Sequence, residues 1–469
     1  MVEGYCVSAI RGAMKHRIIS AIKQRISNQS NPRISIYGLG VTNRAVLDIL
    51  LEGFPSYEIT LRLDKYDADI NLPDRIRIIY GDDARNCIDE DIVFCSPSVR
   101  REKISVGSNT LLTSDMDIFL ADAPRNCLAV SGSDGKSTVT TMCYLMLNSA
   151  FSNVFQGGNI GVPIANAAVN DTDAFVLELS SFMLRYTYPT VRRGVITNIT
   201  PNHLNWHKDM SEYTDTKLRL IRYTEEAVIN ADDTIISAQS KEAYAVVSCE
   251  HSHRQLLSRF KANHTVTLEN GCVLIDGREL INASELNKKE PYNIQNFMLA
   301  AAMSLNIAKN EDIAEVGRTF QGLAHRCEVF LIRDGITFIN SSIDTTPERT
   351  VSTLSGLDKN VVIILGGTGK NISPQSLEIP LSKYAKRIAL YGSYGCQINE
   401  LIERSELCSS IPHASFEDFD DAVEYATRSL ESKDTLLLSP AATGYGQFTS
   451  YAHRGNHFKE YIVEKYKKI

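Results

Sequence analysis

The sequence predicts an α/β protein of three domains built mainly on parallel sheets. Short runs rich in β-branched residues alternate with segments of helical periodicity along most of the chain, a pattern typical of strand–helix–strand units. The length of 469 residues agrees with about three domains of roughly 100–200 residues each. Because the alternation restarts near residues 125 and 322, we predict domains over 1–125 (with 1–30 as an extension), 126–321 and 322–469.

The composition excludes several classes of protein. The chain is 43% hydrophobic and 22% charged, as globular proteins are, and its net charge of −7 gives no basic footprint for nucleic acid or an anionic membrane. No apolar run approaches the ~20 residues of a membrane span, and the N-terminus lacks the charge order of a secretory signal. The ten cysteines include no Cys-x-x-Cys pair, which disfavours zinc ribbons and thioredoxin-like chemistry. We therefore expect a cytoplasmic protein without a nucleic-acid or membrane partner.

The first predicted domain begins with the run RISIYGLG, a strand that ends in Gly38 and Gly40 and leads into a helical pattern. Asp64 follows a later strand, much as a dinucleotide site requires. Asn43 stands where that motif has its third glycine, so a tight turn or a site for another nucleotide fits equally well. An NAD-dependent oxidoreductase using Gly38, Gly40 and Asp64 stays one alternative.

A phosphate-binding loop is the strongest local signal. The buried strand Cys127–Val130 leads into a glycine-rich loop and then into an apolar-periodic helix. Glycines let N–H groups face a phosphate, the helix N-terminus adds positive potential, and Lys136 can reach the β- and γ-phosphates of ATP. The Ser137 hydroxyl is placed to hold Mg²⁺. Val130 occupies the position of the usual first glycine, so the loop is a shortened variant. The predicted ATP-binding residues of this loop are Gly132, Ser133, Asp134, Gly135, Lys136, Ser137 and Thr138.

Another glycine cluster, Gly366–Gly369, also follows a strand and precedes Lys370. Asn371 stands where a phosphate loop would have a metal-binding Ser or Thr. We therefore predict a substrate-facing loop there rather than a second ATP site.

Further segments occur in a fixed order around the phosphate loop. They are GGNIGVPI (157–164), VLELSSFML (176–184), NITPNHLNWHKDMSEYTDTKLRL (198–220), GLAHRCEVF (322–330), IILGGTGKN (363–371) and LSPAATGYGQFTSYAHRGNHF (438–458). With that loop they resemble the Mur ligases, the ATP-dependent enzymes that build the peptidoglycan stem peptide. The last two segments, and the glycine-rich start, are similar to the branch that adds D-glutamate to UDP-N-acetylmuramoyl-L-alanine. The resemblance implies a Rossmann-like N-terminal domain, a central ATPase domain and a Rossmann-like C-terminal domain that binds the amino acid.

The resemblance also implies roles for individual residues. Mg²⁺ is expected on Ser137, Glu178, His203 and Lys217, the lysine as a carbamate. The implied catalytic residues are Lys136, Glu178, His203, Lys217 and Arg326. Beyond the phosphate loop, ATP is expected to contact Asn293, Asn296 and Arg326. The implied substrate-binding residues are Gly38, Gly40, Thr42, Asp64, Asn159, Ser181, Lys370, Phe448 and Tyr451.

The implied reaction is amide formation through an acyl phosphate. ATP phosphorylates the carboxylate of UDP-N-acetylmuramoyl-L-alanine, and the amino group of an amino acid then displaces phosphate. Because Lys136 and Arg326 fall in different predicted domains, we expect the domains to close on ATP binding. Separately, the enzyme is expected to be a monomer. Two further alternatives stay open: a ligase of the same superfamily with another acceptor, similar to folylpolyglutamate synthetase, and a non-catalytic nucleotide-binding regulator.

Several positions depart from the family's pattern. Asp134 replaces an asparagine in the phosphate loop, and Asn202 and Asn205 replace aspartates around His203. In the third domain, Ile343 stands where the D-glutamate-adding branch has a lysine. Next to it, Asp344 is expected to add a negative charge that opposes a carboxylate of the substrate.

The identity of the amino acid depends on these positions. Gly444 stands where a serine commonly binds the same substrate. We expect D-glutamate to remain the substrate, held mainly by Lys370 with help from Arg349.

Overall fold

The computed structural model describes residues 17–20, 22, 24, 33–65, 72–86, 88–167, 171–368, 373–428, 430–444 and 447–467. It divides into two compact units, residues 1–320 and 321–469. Three mainly parallel sheets with helices between their strands confirm the α/β class predicted from the sequence. Among the described residues, no helix combines the length and apolar character that crossing a bilayer requires.

The first unit begins with a five-stranded sheet of order β3-β2-β1-β4-β5, parallel throughout. Its strands are β1 (Ile34–Tyr37), β2 (Ile59–Leu63), β3 (Ile76–Tyr80), β4 (Ile92–Cys95) and β5 (Leu111–Thr113). Helix α1 (Val41–Gly53) starts directly after Gly40, and α2 (Asp115–Leu120) follows β5. Asn43 is buried, and its amide donates to the carbonyl of Gly38 at 2.7 Å, which holds the turn where a third glycine would otherwise pack.

A nine-stranded sheet follows in the same unit, with order β14-β13-β12-β11-β10-β9-β6-β8-β7. The three strands that come last in the sequence form an antiparallel patch in this otherwise parallel sheet. Its strands are β6 (Cys127–Ser131), β7 (Val154–Gly158), β8 (Ala174–Glu178), β9 (Arg193–Ile196), β10 (Glu226–Asn230), β11 (Glu242–Ser248), β12 (Lys261–Glu269), β13 (Cys272–Ile275) and β14 (Arg278–Asn282).

Helices cover both faces of this sheet, and its central strands are therefore buried at every position. They are α3 (Lys136–Leu147), α4 (Ser181–Leu184), α5 (Met210–Tyr223), α6 (Thr234–Ser237), α7 (His253–Arg259), α8 (Pro291–Ser304) and α9 (Asn310–Thr319). Strand β6 lies between β8 and β9, and all three run parallel. The loops that follow these strands therefore meet at one edge of the sheet, where ligands bind in α/β folds.

The second unit is one six-stranded sheet of order β15-β16-β20-β17-β18-β19, in which β15 alone is antiparallel to its neighbour. Its strands are β15 (Glu328–Arg333), β16 (Ile336–Asn340), β17 (Val361–Gly366), β18 (Ala385–Tyr391), β19 (His413–Phe416) and β20 (Thr435–Leu438). Its helices are α10 (Pro347–Ser355), α11 (Glu378–Tyr384), α12 (Gly392–Arg404), α13 (Phe419–Thr427) and α14 (Tyr451–Lys467). Two apolar clusters, one on each face of the central strands, form its core.

Candidate active site

The phosphate loop lies between β6 and α3, where the sequence predicts it. Gly132 has φ +142°, and a Cβ there would lie 1.8 Å from Thr197 Oγ1. Gly135 caps α3 with φ +76°, and a Cβ there would lie 2.4 Å from Asn296 Oδ1. Both positions therefore require glycine, for conformation and for space.

Residues that follow β9 hold the loop in shape. The Ser133 N–H donates to the Asn198 carbonyl at 2.9 Å, and the Asp134 N–H donates to Asn198 Oδ1 at 3.0 Å. The Thr200 N–H donates to Ser133 Oγ at 2.9 Å. The Lys136 ammonium folds back and donates to the Ser133 carbonyl at 2.8 Å. The loop is thus preorganised, with its cation at the helix N-terminus.

A buried carboxylate lies beside the loop, at the end of β8. Glu178 is only 2% exposed. Its Oε2 accepts from Ser137 Oγ at 2.7 Å, and its Oε1 accepts from Asn159 Nδ2 at 2.6 Å. Sequence analysis predicted Ser137 and Glu178 as metal ligands, and the structure brings them together. Asn159, which was predicted to bind the nucleotide-sugar substrate, belongs to the same cluster. A carboxylate and a hydroxyl oxygen beside a phosphate loop are the hard oxygen ligands that Mg²⁺ prefers, so the donor set fits that ion.

Lys217 projects from α5 towards the same loop. It is 2% exposed, and its Nζ donates to the Gly132 carbonyl at 2.6 Å. Burial, and then the positive charge of Lys136, lower the pKa of Lys217 well below its ordinary value, although Glu178 opposes the shift. The neutral amine is the form that reacts with carbon dioxide to give a carbamate, so this environment suits the modification implied by the resemblance.

His203 lies on the exposed loop between β9 and α5, in a left-handed conformation with φ +54°. Its backbone N–H donates to Asn202 Oδ1 at 2.8 Å, and its ring centre lies 4.9 Å from that of Phe182. These contacts fix the loop backbone, and the role of His203 as a metal ligand stays a prediction.

A second histidine of this loop was missed by sequence analysis. His207 is buried, with Nε2 3.0 Å from Ser181 Oγ and Nδ1 3.4 Å from Glu212 Oε2. Burial lowers the pKa of His207, which favours the neutral ring. Ser181, predicted to bind substrate, is therefore positioned by a neighbour from the loop that carries His203. The neighbouring Trp206, whose ring centre lies 4.7 Å from that of His207, is a signal in the sequence that could have indicated a buried histidine.

The two asparagines of α8 have different surroundings. Asn296 is buried against Gly135, so it contacts the phosphate loop itself. Asn293 lies in the first turn of the helix, where its Nδ2 donates to Glu290 Oε2 at 2.8 Å. Their predicted contacts with adenine stay predictions.

The predicted nucleotide-sugar residues lie at the carboxyl edge of the first sheet. Gly38 and Gly40 form the turn into α1, and Thr42 lies in the first turn of that helix. Asp64 Oδ1 accepts from Arg85 Nε at 2.9 Å and from the Tyr37 hydroxyl at 2.5 Å. Arg85 thereby lowers the pKa of Asp64, and burial raises the pKa of Tyr37 to about 12. Asp64 is thus an ionised carboxylate of fixed orientation.

In the second unit, Arg326 is exposed on the turn before β15, and its N–H donates to the Leu323 carbonyl at 3.2 Å. Phe448 is buried against Phe419, with ring centres 5.1 Å apart. Tyr451 is 39% exposed, and its ring centre lies 6.0 Å from that of the buried His325. Lys370 lies outside the described residues, so its predicted role stays a prediction.

A buried arginine in the second unit was also missed. Arg454 is 0% exposed, and it donates to Ser342 Oγ and to the Ser342 carbonyl at 2.9 Å each. It also donates to the Tyr391 hydroxyl at 3.0 Å and to the Ala442 carbonyl at 3.1 Å. One guanidinium therefore ties together the ends of β16, β18 and β20. All its partners are neutral and distant in sequence, so no charge pattern reveals it.

Comparison with known proteins identifies the family. Residues 130–304 match the Mur ligase middle domain. The chain is 30% identical over 465 residues to the UDP-N-acetylmuramoylalanine–D-glutamate ligase of Ruminiclostridium cellulolyticum, covering 94% of this chain and 98% of that protein. It is also 30% identical to the enzyme of the same name from Acetivibrio thermocellus, covering 95% and 98%.

Solved structures agree at the level of the fold. The UDP-N-acetylmuramate–alanine ligase of Thermotoga maritima superimposes with a TM-score of 0.55 at 16% identity, covering 93% of this chain and 99% of that one. With the phosphate loop and its buried carboxylate, these matches show that the chain belongs to the Mur ligase family and that its relatives are UDP-N-acetylmuramoylalanine–D-glutamate ligases.

Proposed function

We propose that the protein joins D-glutamate to UDP-N-acetylmuramoyl-L-alanine at the expense of ATP, in peptidoglycan precursor synthesis. The observation that carries the proposal is the cluster of Ser137, Glu178 and Asn159 beside the phosphate loop. The names of relatives that align over nearly the whole chain support the choice of substrates. We further propose that the enzyme works as a monomer in the cytoplasm.

The chemistry requires activation, because a carboxylate is a poor acceptor for an amine at neutral pH. A carboxylate oxygen of the acceptor attacks the γ-phosphorus of ATP, ADP leaves, and an acyl phosphate forms. The amino group then attacks the acyl carbon, phosphate leaves with the bridging oxygen, and the ammonium proton is lost to solvent. Lys136 neutralises charge on the transferring phosphoryl group, and the proposed role of Arg326 is to do the same.

Mg²⁺ would be held by Ser137, Glu178, His203 and carbamylated Lys217, and when bound it would neutralise phosphate oxygens. The unmodified Lys217 ammonium would repel that ion. The carbamate replaces one positive charge by one negative charge and supplies two oxygen atoms. Ser137 and Asn159 each donate a hydrogen bond to Glu178, one to each carboxylate oxygen.

The test is phosphate release from ATP with UDP-N-acetylmuramoyl-L-alanine and a panel of D- and L-amino acids. We expect turnover only when both substrates are present, with D-glutamate giving the highest kcat/KM. Another amino acid that exceeds D-glutamate tenfold would show that Ile343 and Gly444 have changed the specificity. Turnover with neither substrate would contradict the ligase, and quenching of NADH fluorescence on binding would favour a dinucleotide enzyme.

A further inference from the structure

The loop after β16 lacks the positive charge that the amino-acid substrate requires. Glutamate carries two carboxylates, and a carboxylate removed from water without a cation or a donor costs several kcal/mol. Ile343 offers neither. The carboxyl ends of the parallel strands β16, β20 and β17 nevertheless lie side by side at one edge of the sheet, where ligands bind in α/β folds.

Asp344, which the sequence led us to expect as an opposing charge near a substrate carboxylate, is buried in the second unit. It is 5% exposed, and its Oδ2 accepts from Thr353 Oγ1 at 2.7 Å and from Ser439 Oγ at 2.8 Å. Its charge is therefore directed into the unit and stabilised by two hydroxyl groups.

Arg349 lies next to Ile343, the position where the D-glutamate-adding branch has a lysine. It lies in the first turn of α10, is exposed, and its Nη1 donates to the Ile343 carbonyl at 3.1 Å. A guanidinium has five N–H donors in a planar fork. Within the part of the chain that the structure describes, Arg349 forms no ion pair. Its charge and several of its donors thus remain available beside Ile343.

The backbone on which Arg349 rests is fixed from two sides. The Ile343 N–H donates to the His325 carbonyl at 3.1 Å, which ties the loop to the neighbour of Arg326. The buried Arg454 donates hydrogen bonds to both Ser342 Oγ and the Ser342 carbonyl. An arginine anchored to such a loop is preorganised, which reduces the entropy that ligand binding must overcome.

We propose that Arg349 is a specificity-determining residue that binds a carboxylate of the incoming amino acid, in place of the lysine replaced by Ile343. The inference rests on the proposed ligase activity. The fork of the guanidinium matches a carboxylate with two parallel hydrogen bonds, whereas lysine offers a point charge. Arg349 therefore supplies the ionic contact that Ile343 cannot, beside the contact predicted for Lys370.

The test compares Arg349→Gln and Arg349→Lys with Arg404→Gln, an exposed arginine on α12 that pairs with Glu400. In the full-length enzyme with saturating ATP and UDP-N-acetylmuramoyl-L-alanine, Arg349→Gln should raise the KM for D-glutamate about tenfold or more. The KM values for ATP and the nucleotide sugar should stay unchanged. Arg349→Lys should recover part of the loss, and Arg404→Gln should behave as wild type.

Substrate analogues then distinguish the two carboxylates. D-Isoglutamine lacks the α-carboxylate and D-glutamine lacks the γ-carboxylate. The ratio of wild-type to Arg349→Gln activity should fall to about one for the analogue that lacks the bound group. An unchanged KM for D-glutamate in Arg349→Gln, with an active wild type, would overturn the inference alone. A wild type that turns over with no amino acid would remove the proposed ligase activity and the inference with it.

Discussion

Lys136 is the residue whose removal should damage the reaction most directly. Its ammonium lies at the N-terminus of α3, hydrogen-bonded to the Ser133 carbonyl. Because its proposed role is to neutralise charge that develops on the transferring phosphoryl group, Lys136→Ala should lower kcat by 100-fold or more, on the order of 3 kcal/mol in the transition state. Steady-state ligation measures the loss, with exposed Lys241→Ala as the control. A decrease smaller than tenfold would show that the loop is not the phosphate site.

Lys217 should carry a carbamate in the active enzyme. Burial lowers the pKa of its amine, so the neutral and nucleophilic form is more populated than in an exposed lysine. Incubation with ¹³C-bicarbonate should give a carbamate signal in the NMR spectrum of the wild type that is absent from Lys217→Arg, because a guanidinium does not form the adduct. Equal signals in the two proteins would contradict the assignment.

Lys136 and Ser137 could be predicted because both follow directly from a local strand–loop–helix pattern, whereas the role of Glu178 was implied by the resemblance to the Mur ligases. His207 and Arg454 could not be predicted, because their functions arise from contacts between distant segments and from burial rather than from a motif. Asp344 shows the same limit: its charge was visible in the sequence, but the hydroxyl groups of Thr353 and Ser439 that accommodate it were not.

At the scale of elements, α2 is joined to the turn at Ile164–Asn166 through a buried carboxyl group. Asp115 Oδ1 accepts from the Met116 N–H at 2.8 Å, and its Oδ2 accepts from the Ala165 N–H at 3.2 Å. Burial nevertheless raises the pKa of Asp115 from 3.8 to about 7. The folded protein therefore binds a proton here more tightly than the unfolded chain does.

This shift predicts a pH-dependent stability. The contribution is fully present below about pH 4 and is lost as the pH rises through about 7. Between pH 5 and 8, the free energy of unfolding of the wild type should fall relative to that of Asp115→Asn by roughly 2–3 kcal/mol. Urea unfolding at several pH values measures this, with the exposed Asp122→Asn as the control. A difference that does not change with pH would contradict the assignment.

Arg454 should be a structural anchor of the second unit. Its replacement by methionine keeps much of the side-chain volume but leaves the acceptors on Ser342, Tyr391 and Ala442 without their donor. Arg454→Met should therefore lower the free energy of unfolding by about 2–4 kcal/mol. Chemical denaturation of the full chain measures the loss, and Arg404→Met provides the exposed control. Unchanged stability would show that water replaces the guanidinium without cost.

At the scale of the whole molecule, the α/β class and the order of strands and helices follow from the sequence, because alternation of short apolar runs and helical segments is a local property. The order of strands within each sheet does not, since β6 lies between β8 and β9 through contacts of long sequence separation. The compact units divide at residues 320 and 321, next to the predicted start of the third domain at 322. The separation of the first unit into two domains near residue 125 stays a proposal.

The central claim is that ATP activates the acceptor as an acyl phosphate, and transfer of an oxygen isotope tests it most directly. UDP-N-acetylmuramoyl-L-alanine labelled with ¹⁸O in both carboxylate oxygens is converted in the presence of ATP and D-glutamate, and the released phosphate is analysed by mass spectrometry. Because the bridging oxygen leaves with phosphate, each phosphate should carry one ¹⁸O atom and the amide carbonyl should keep the other. Unlabelled phosphate would contradict the acyl phosphate and the function built on it.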